Sequence, residues 1–497
     1  MRIAIALLLA ATISCCTSSA PAPSDSASRD IDRFMQEVVR EIPEVASVGI
    51  AVVRDGKPYY ARSFGYADLE AKSTATAQTG YYIASSTKSY TGLAAAILAS
   101  RGVLDLDAPI TKYLPEVKLA PPLDAEKLTL RRLLTHTSGI TNDPIVFRTA
   151  FTGEHTPAGL VALLNSSKPR AKEGFSYDNL GYVVTSMVME RVTGKPWQQV
   201  LDEVVFTPLG MNHTTAYMSE ANRWTLASPH EVNRKAEVVK LQFGKNDQMM
   251  HAAGGIVTTP EDLTRWLAAN VNQGRIGSRQ ILPAAAFKES HRQQVDAKVE
   301  RDAFKGRGYG LGWYQADYGG DNVLFHLGGF EGWRAHVSFM PDKKLGVAVV
   351  TNSGAGGHSV LNLIAAYVYD RLLEKPDAEA ANAEQLAKFK AGMQQRKERF
   401  LADVEKRSKR PWMLQHPNSA YVGRYEHPGY GTLIIEQRDD KLVASLAQLN
   451  SVVEAFTEPE SARVELVPGS GEVLRFVFST SEQADAVKWG DETFQRK

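Results

Sequence analysis

Strand-like runs at both ends of a long segment, with helices between them, predict an α+β or mixed α/β protein whose one sheet is closed by distant parts of the chain. Three observations carry this prediction. "SVGIAVV" and "KPYYARSFGYA" flank the turn pair Asp55 and Gly56. "NVLFHLGGFEGWRAHVSFMPDKKLGVAVVTNS" alternates, turns at Asp342 to Lys344 and alternates again. From about Pro417 a third set of short strands begins, after a change of composition.

At the N-terminus, "MRIAIALLLAATISCC" has one arginine, an apolar stretch from Ile3 to Ile13 and then small residues. This predicts an export signal, too short for a membrane span. Cys15 and Cys16 are the two cysteines of the 497 residues. The mature chain therefore has no disulfide framework, cysteine nucleophile or thiolate metal site. Small residues ahead of Cys15 resemble a bacterial lipoprotein processing site, although Thr12 stands where an aliphatic residue is usual; cleavage after Ala20 is the alternative. The expected protein is exported, periplasmic or anchored to a membrane by an N-terminal lipid only. Thr17 to Ser28 is a Ser/Pro/Ala tether with too little apolar content to fold.

After the first two strands, a helix starting near Ser85 runs to about Ser100 and stops at Gly102. Its apolar residues from Leu93 to Ala99 cover nearly the whole circumference, so it should be packed inside the protein. "LTLRRLLTH" and "LGYVVTSMVMERVTG" continue a helical middle before the strands return. Asp377 to Arg410, rich in Ala, Gln, Glu, Lys and Arg, reads as a solvated connecting helix. The expected organisation is signal and tether over 1–28, a main domain over 29–375, a charged helical linker over 376–412 and a small barrel-like β domain over 413–497. A net charge of +1 provides no basic field for a nucleic acid, so the expected partner is a small-molecule, peptide or ester substrate.

The chemistry begins at "YYIASSTKSY". Ser85 and Lys88, at i and i+3 of a helix, share one face, close enough for an amine to take the hydroxyl proton. That requires a lysine that is neutral part of the time, which desolvation by an apolar setting provides. The pattern S-x-x-K alone turns up by chance about once or twice in such a chain. In "EGFSYDNLGY", Tyr177 and Asn179 stand two apart. A phenol there would shuttle a proton and an amide would hold a substrate carbonyl, although a turn with a packed aromatic explains the pair equally. "FHLGGFEGW" sets His326 beside Gly328 and Gly329, where a ligand could lie against the backbone. A satisfied strand-edge histidine is the alternative there.

Ser85-x-x-Lys88, Tyr177-x-Asn179 and His326-x-Gly328, in that order, resemble the three motifs of the serine β-lactamase and penicillin-binding-protein superfamily, on the branch of class C β-lactamases, DD-peptidases and related esterases. "LLTHTSGI", "PLGMNHT", "AAGGIVTTPEDLTRWL" and "LGVAVVTNSG" agree. The resemblance covers about residues 30 to 375, and "YVGRYEHPGYGTLIIE" resembles the small β domain often appended. It implies an α+β fold, an antiparallel sheet with an all-helical insertion and a cleft between them. It also implies a serine hydrolase acting through an acyl-enzyme on Ser85, with Lys88 and Tyr177 as general base and acid. The N–H groups of Ser85 and Gly329 would hold the oxyanion; Asn179 would hold a substrate amide and orient Lys88. His326 and Leu327 depart from the Lys-Thr-Gly or Lys-Ser-Gly usual in penicillin-recognising enzymes. A fixed ammonium is missing, which puts a carboxylate-bearing β-lactam or D-Ala terminus in doubt. An envelope sensor that acylates without turnover is the other reading of this pattern. No HExxH or cysteine-histidine spacing supports a metal, no cofactor is expected, and no G-x-S-x-G elbow is present.

Overall fold

The structure, a computed structural model, describes residues 25–479 and 482–497. The expected export signal and the tether as far as residue 24 lie outside the described residues. The end of the expected tether instead opens a helix. Asp25 accepts from the Ser28 amide at 2.9 Å and the Ser28 hydroxyl accepts from the Asp25 N–H at 3.2 Å, capping α1 (Ser26–Glu41). Serine and alanine there read as linker by composition, but the buried stripe Ile31, Phe34, Met35 and Val38 supplies the packing that makes the segment a helix.

Nine strands form the main sheet: β1 (Ser47–Arg54), β2 (Lys57–Asp68), β3 (Ser73–Thr74), β4 (Val295–Arg301), β5 (Phe304–Tyr309), β6 (Tyr314–Tyr318), β7 (Asp321–Phe330), β8 (Trp333–Met340) and β9 (Leu345–Thr351). Their order is β4-β5-β6-β7-β8-β9-β1-β2-β3, with antiparallel pairing throughout. The two chain ends meet where β1 lies against β9, Ile50 opposite Val349. Strands β4 to β6 carry charged residues and glycines and two register shifts, which is why alternation did not announce them.

The other helices that place the site are α2 (Thr87–Ser100), α3 (Leu180–Thr193), α4 (Pro260–Val271), α5 (Ser359–Leu372) and α6 (Ala378–Ser408). Side chains of β1 point alternately to two cores. Val48, Ile50 and Val52 pack with α1 and α5, whereas Ala51 and Val53 pack with α2 and α4. A strand covered on both faces reads as a continuous apolar run, as "SVGIAVV" does. Helix α2 is buried from Thr87 to Leu98, in the middle of the larger core.

Past α6, the C-terminal strands are β10 (Gly423–His427), β11 (Gly431–Arg438), β12 (Lys441–Leu446), β13 (Leu449–Val452), β14 (Glu454–Ala455), β15 (Ser461–Val464), β16 (Glu472–Val477), β17 (Ala486–Trp489) and β18 (Glu492–Arg496). They run β13-β12-β11-β10-β18-β17-β16-β15-β14. The two edge strands are separated in sequence by Val453 alone, so the sheet must curl back toward closure, around its own apolar core. Phe147, Phe151 and Phe243 of the main domain pack against that core. Gln448 donates to the Phe151 carbonyl at 3.0 Å, and Lys168 pairs with Glu492 at 3.0 Å.

Candidate active site

Ser85 lies in a short 3-10 turn, Ala84–Ser86, that feeds directly into α2, rather than in the α-helix itself. The turn is held from outside. Ile83 N–H donates to Ile256 O at 3.0 Å, and the Ser86 hydroxyl reaches His326 O at 3.4 Å. Ala84 has φ of +44°, a conformation that alanine adopts only when its surroundings impose it. Strand β7 presses against the same turn: a Cβ on Gly328 would stand 1.9 Å from Ile83 O. Gly328 thus lets the strand that carries Gly329 approach the serine turn.

The Lys88 side chain is fully buried and makes three contacts: Nζ is 3.1 Å from Ser85 Oγ, 2.7 Å from Asn179 Oδ1 and 2.9 Å from Ala253 O. Desolvation pulls its pKa down to about 7, with the Asp178 carboxylate opposing. Its nitrogen also lies 4.8 Å from the centre of the Tyr177 ring. Asn179 is the N-cap residue of α3, but its side chain does not cap the helix. Asp178 does that work, its Oδ1 accepting from Gly181 N–H at 3.2 Å, and so the Asn179 amide is left for Lys88.

Tyr177 stands in the loop before α3, with 40% of its surface open to solvent. Desolvation raises its phenol pKa, and the Ser85 hydroxyl opposes this. The phenol therefore reaches neutral pH as a proton donor, not as a phenolate.

His326 differs from the expectation of a substrate-facing group. It is buried, with Nδ1 2.7 Å from Leu327 O and Nε2 3.2 Å from the Tyr309 hydroxyl. A carbonyl only accepts, so Nδ1 carries the proton and Nε2 accepts from Tyr309. Burial first, and then Lys88, push its pKa down to about 3. Both nitrogens are spent inside the protein, and a neutral histidine satisfied in this way offers nothing to a ligand. Gly329, one residue past the Gly328 contact, is exposed at the end of β7.

Three groups at this centre had no role in the sequence reading. His136, inside "LLTHTSGI", has φ of +58°, accepts from Asp178 N–H at 3.2 Å and places its ring 4.5 Å from that of Tyr177. Ala253 lends a carbonyl to Lys88, from a loop so tight that a Cβ on Gly255 would stand 2.5 Å from His251 N. Tyr309, on the unanticipated strand β5, fixes His326. The recurring phrases around His136 and Ala253 were the available signal; nothing in sequence spacing pointed to Tyr309.

Fold and centre together define a protein with an antiparallel sheet, a helical insertion and a serine, a buried lysine and a tyrosine gathered between them. The chain belongs to the Beta-lactamase family, whose model matches residues 35–367. It is 26% identical over 337 residues to "Protein flp" of Staphylococcus aureus (strain MW2), covering 66% of this chain and 64% of that protein. The chain thus spans less than two thirds of the length of such relatives. Among solved structures, the octameric penicillin-binding protein homologue from Pyrococcus abyssi matches 94% of this chain and 99% of its own, with a TM-score of 0.60 and 23% identity. That likeness includes the C-terminal β domain and concerns the fold alone. D-amino acid amidase from Ochrobactrum anthropi SV3, complexed with D-phenylalanine, matches 69% of this chain and 98% of its own at 25% identity, with a TM-score of 0.56.

Proposed function

We propose that the protein is an exported serine hydrolase that cleaves an amide, peptide or ester bond through an acyl-enzyme on Ser85. The observation that carries this reading is Lys88, a buried amine held near neutrality 3.1 Å from the Ser85 hydroxyl. In its neutral form Nζ accepts the Ser85 proton as Oγ attacks the substrate carbonyl carbon, and Asn179 and Ala253 keep the amine aimed. The Ser85 and Gly329 N–H groups receive the oxyanion; one such donor is worth about 10²–10³ in rate. Tyr177 then gives its proton to the departing nitrogen or oxygen and recovers one through Lys88, and water releases the acyl group. Amide cleavage finds support in the likeness to a D-amino acid amidase. Export rests on the N-terminal sequence, and among the described residues no helix is long and apolar enough to cross a membrane.

The test is a panel of chromogenic short-chain esters, D-aminoacyl anilides and a cephalosporin, read beside the stoichiometry of fluorophosphonate labelling. Repeated release of product, with both turnover and labelling lost in a folded Ser85→Ala variant, is expected. Labelling that survives the substitution would place the nucleophile elsewhere. A permanent one-to-one adduct with every substrate would make the protein a sensor.

A further inference from the structure

A second cavity, of about 630 Å³, opens where three parts of the chain meet: the end of α6, the C-terminal sheet and a loop of the main domain. Its chemistry is cationic. Arg407 and Arg410 come from the end and exit of α6, Lys441 from β12, Arg463 from β15 and Arg234 from the main domain, and they face two lining acids, Asp440 and Glu454. Part of this charge is already engaged. Glu454 pairs with Arg234 and lies 3.6 Å from Arg463, whose other nitrogen is 2.6 Å from Glu465. Arg407 lies 2.9 Å from Asp403 and 3.9 Å from Glu465.

What remains points at a ligand. Arg463 is only 9% exposed, and its Nη1 makes no hydrogen bond, only the 3.6 Å ion pair with Glu454. Arg410 stacks 5.6 Å from the Phe456 ring, and neither it nor Lys441 pairs with an acid among the described residues. Trp412, 47% exposed, lines the same cavity and offers a flat apolar face beside these donors. The whole chain has a net charge of only +1, so the excess is local rather than a general basic surface.

We propose that this cavity binds a small polyanion carrying at least two phosphate or carboxylate groups, held by Arg410 and Lys441, with its flat or sugar-like face on Trp412. Guanidinium forks suit planar and tetrahedral oxyanions, and bonds between two charged partners are the stronger kind. Because the donors come from the exit of the linker helix and from the β domain, an occupant would tie the two together. None of Ser85, Lys88 and Tyr177 lines the cavity, so this site stands or falls independently of the hydrolase reading.

Calorimetric titration of the full chain with tripolyphosphate and, separately, with citrate tests the proposal and distinguishes phosphate from carboxylate as the preferred group. Saturable one-to-one binding is expected for at least one of them, with quenching of tryptophan fluorescence that Trp412→Phe removes. Partly exposed Arg410 and exposed Lys441 should tolerate replacement, and Arg410→Gln with Lys441→Gln should weaken binding about ten-fold or more while ester turnover is unchanged. Absence of saturable binding by both probes overturns the site. So does binding that the double variant leaves intact, or binding to which Trp412 is silent.

Discussion

Gly328 passes so close to Ile83 that a methyl group on it would stand 1.9 Å from the Ile83 carbonyl oxygen. One contact thereby sets the distance between strand β7 and the turn that presents Ser85. Since the obstacle is backbone, Gly328→Ala must displace strand or turn. Loss of about 1–3 kcal/mol in stability is expected, together with a fall in the rate of fluorophosphonate labelling of about 10² or more. Gly329→Ala is the control, because its Cβ meets the tip of the His358 ring at 3.1 Å. If the two variants behave alike, the Gly328 contact is not what seats Ser85.

With Lys88 near 7 and acting as base, kcat/KM should rise about ten-fold per pH unit below pH 7 and level off above it, as the amine loses its proton. The Asp178 carboxylate favours the charged ammonium. Asp178→Asn removes that influence, so the acid limb should move to lower pH. A limb that moves upward, or stays, would show that another group controls the rate.

On the proposed mechanism Lys88, 3.1 Å from the Ser85 hydroxyl, and Tyr177 are parts of one proton path. Lys88→Met and Tyr177→Phe should each reduce kcat/KM by about 10²–10⁴, and the double variant should lose little more than the worse single one. Multiplied losses in the cycle would reduce Tyr177 to a positioning residue.

A lysine at position 326 would meet no substrate carboxylate, because the native imidazole is buried between Leu327 O and the Tyr309 hydroxyl. His326→Lys should destabilise the fold by about 3–5 kcal/mol, the range for an uncompensated buried charge, when measured by urea unfolding. The preference between a carboxylate-bearing ester and its neutral methyl analogue should not change. A stable variant that gains affinity for the carboxylate would return His326 to the substrate.

The sequence by itself determined the sheet made from both ends of the main segment and the fully apolar α2, and it singled out Ser85, Lys88, Tyr177 and Asn179 as candidates, because strand period, helix circumference and short spacings are local quantities. It was blind to the Asp25 cap of α1 and to strands β4 to β6, where composition and polar, bulged edges hide the pattern. It also placed His326 at the substrate, since spacing says which residue occupies a strand but not which neighbours enclose it. Only the tertiary structure brought Ala253 to Lys88, His136 to Tyr177 and Tyr309 to His326, across separations of 165, 41 and 17 residues. Burial, and with it the neutral amine and the satisfied imidazole, is a property of everything packed around a group. No stretch of sequence contains it alone.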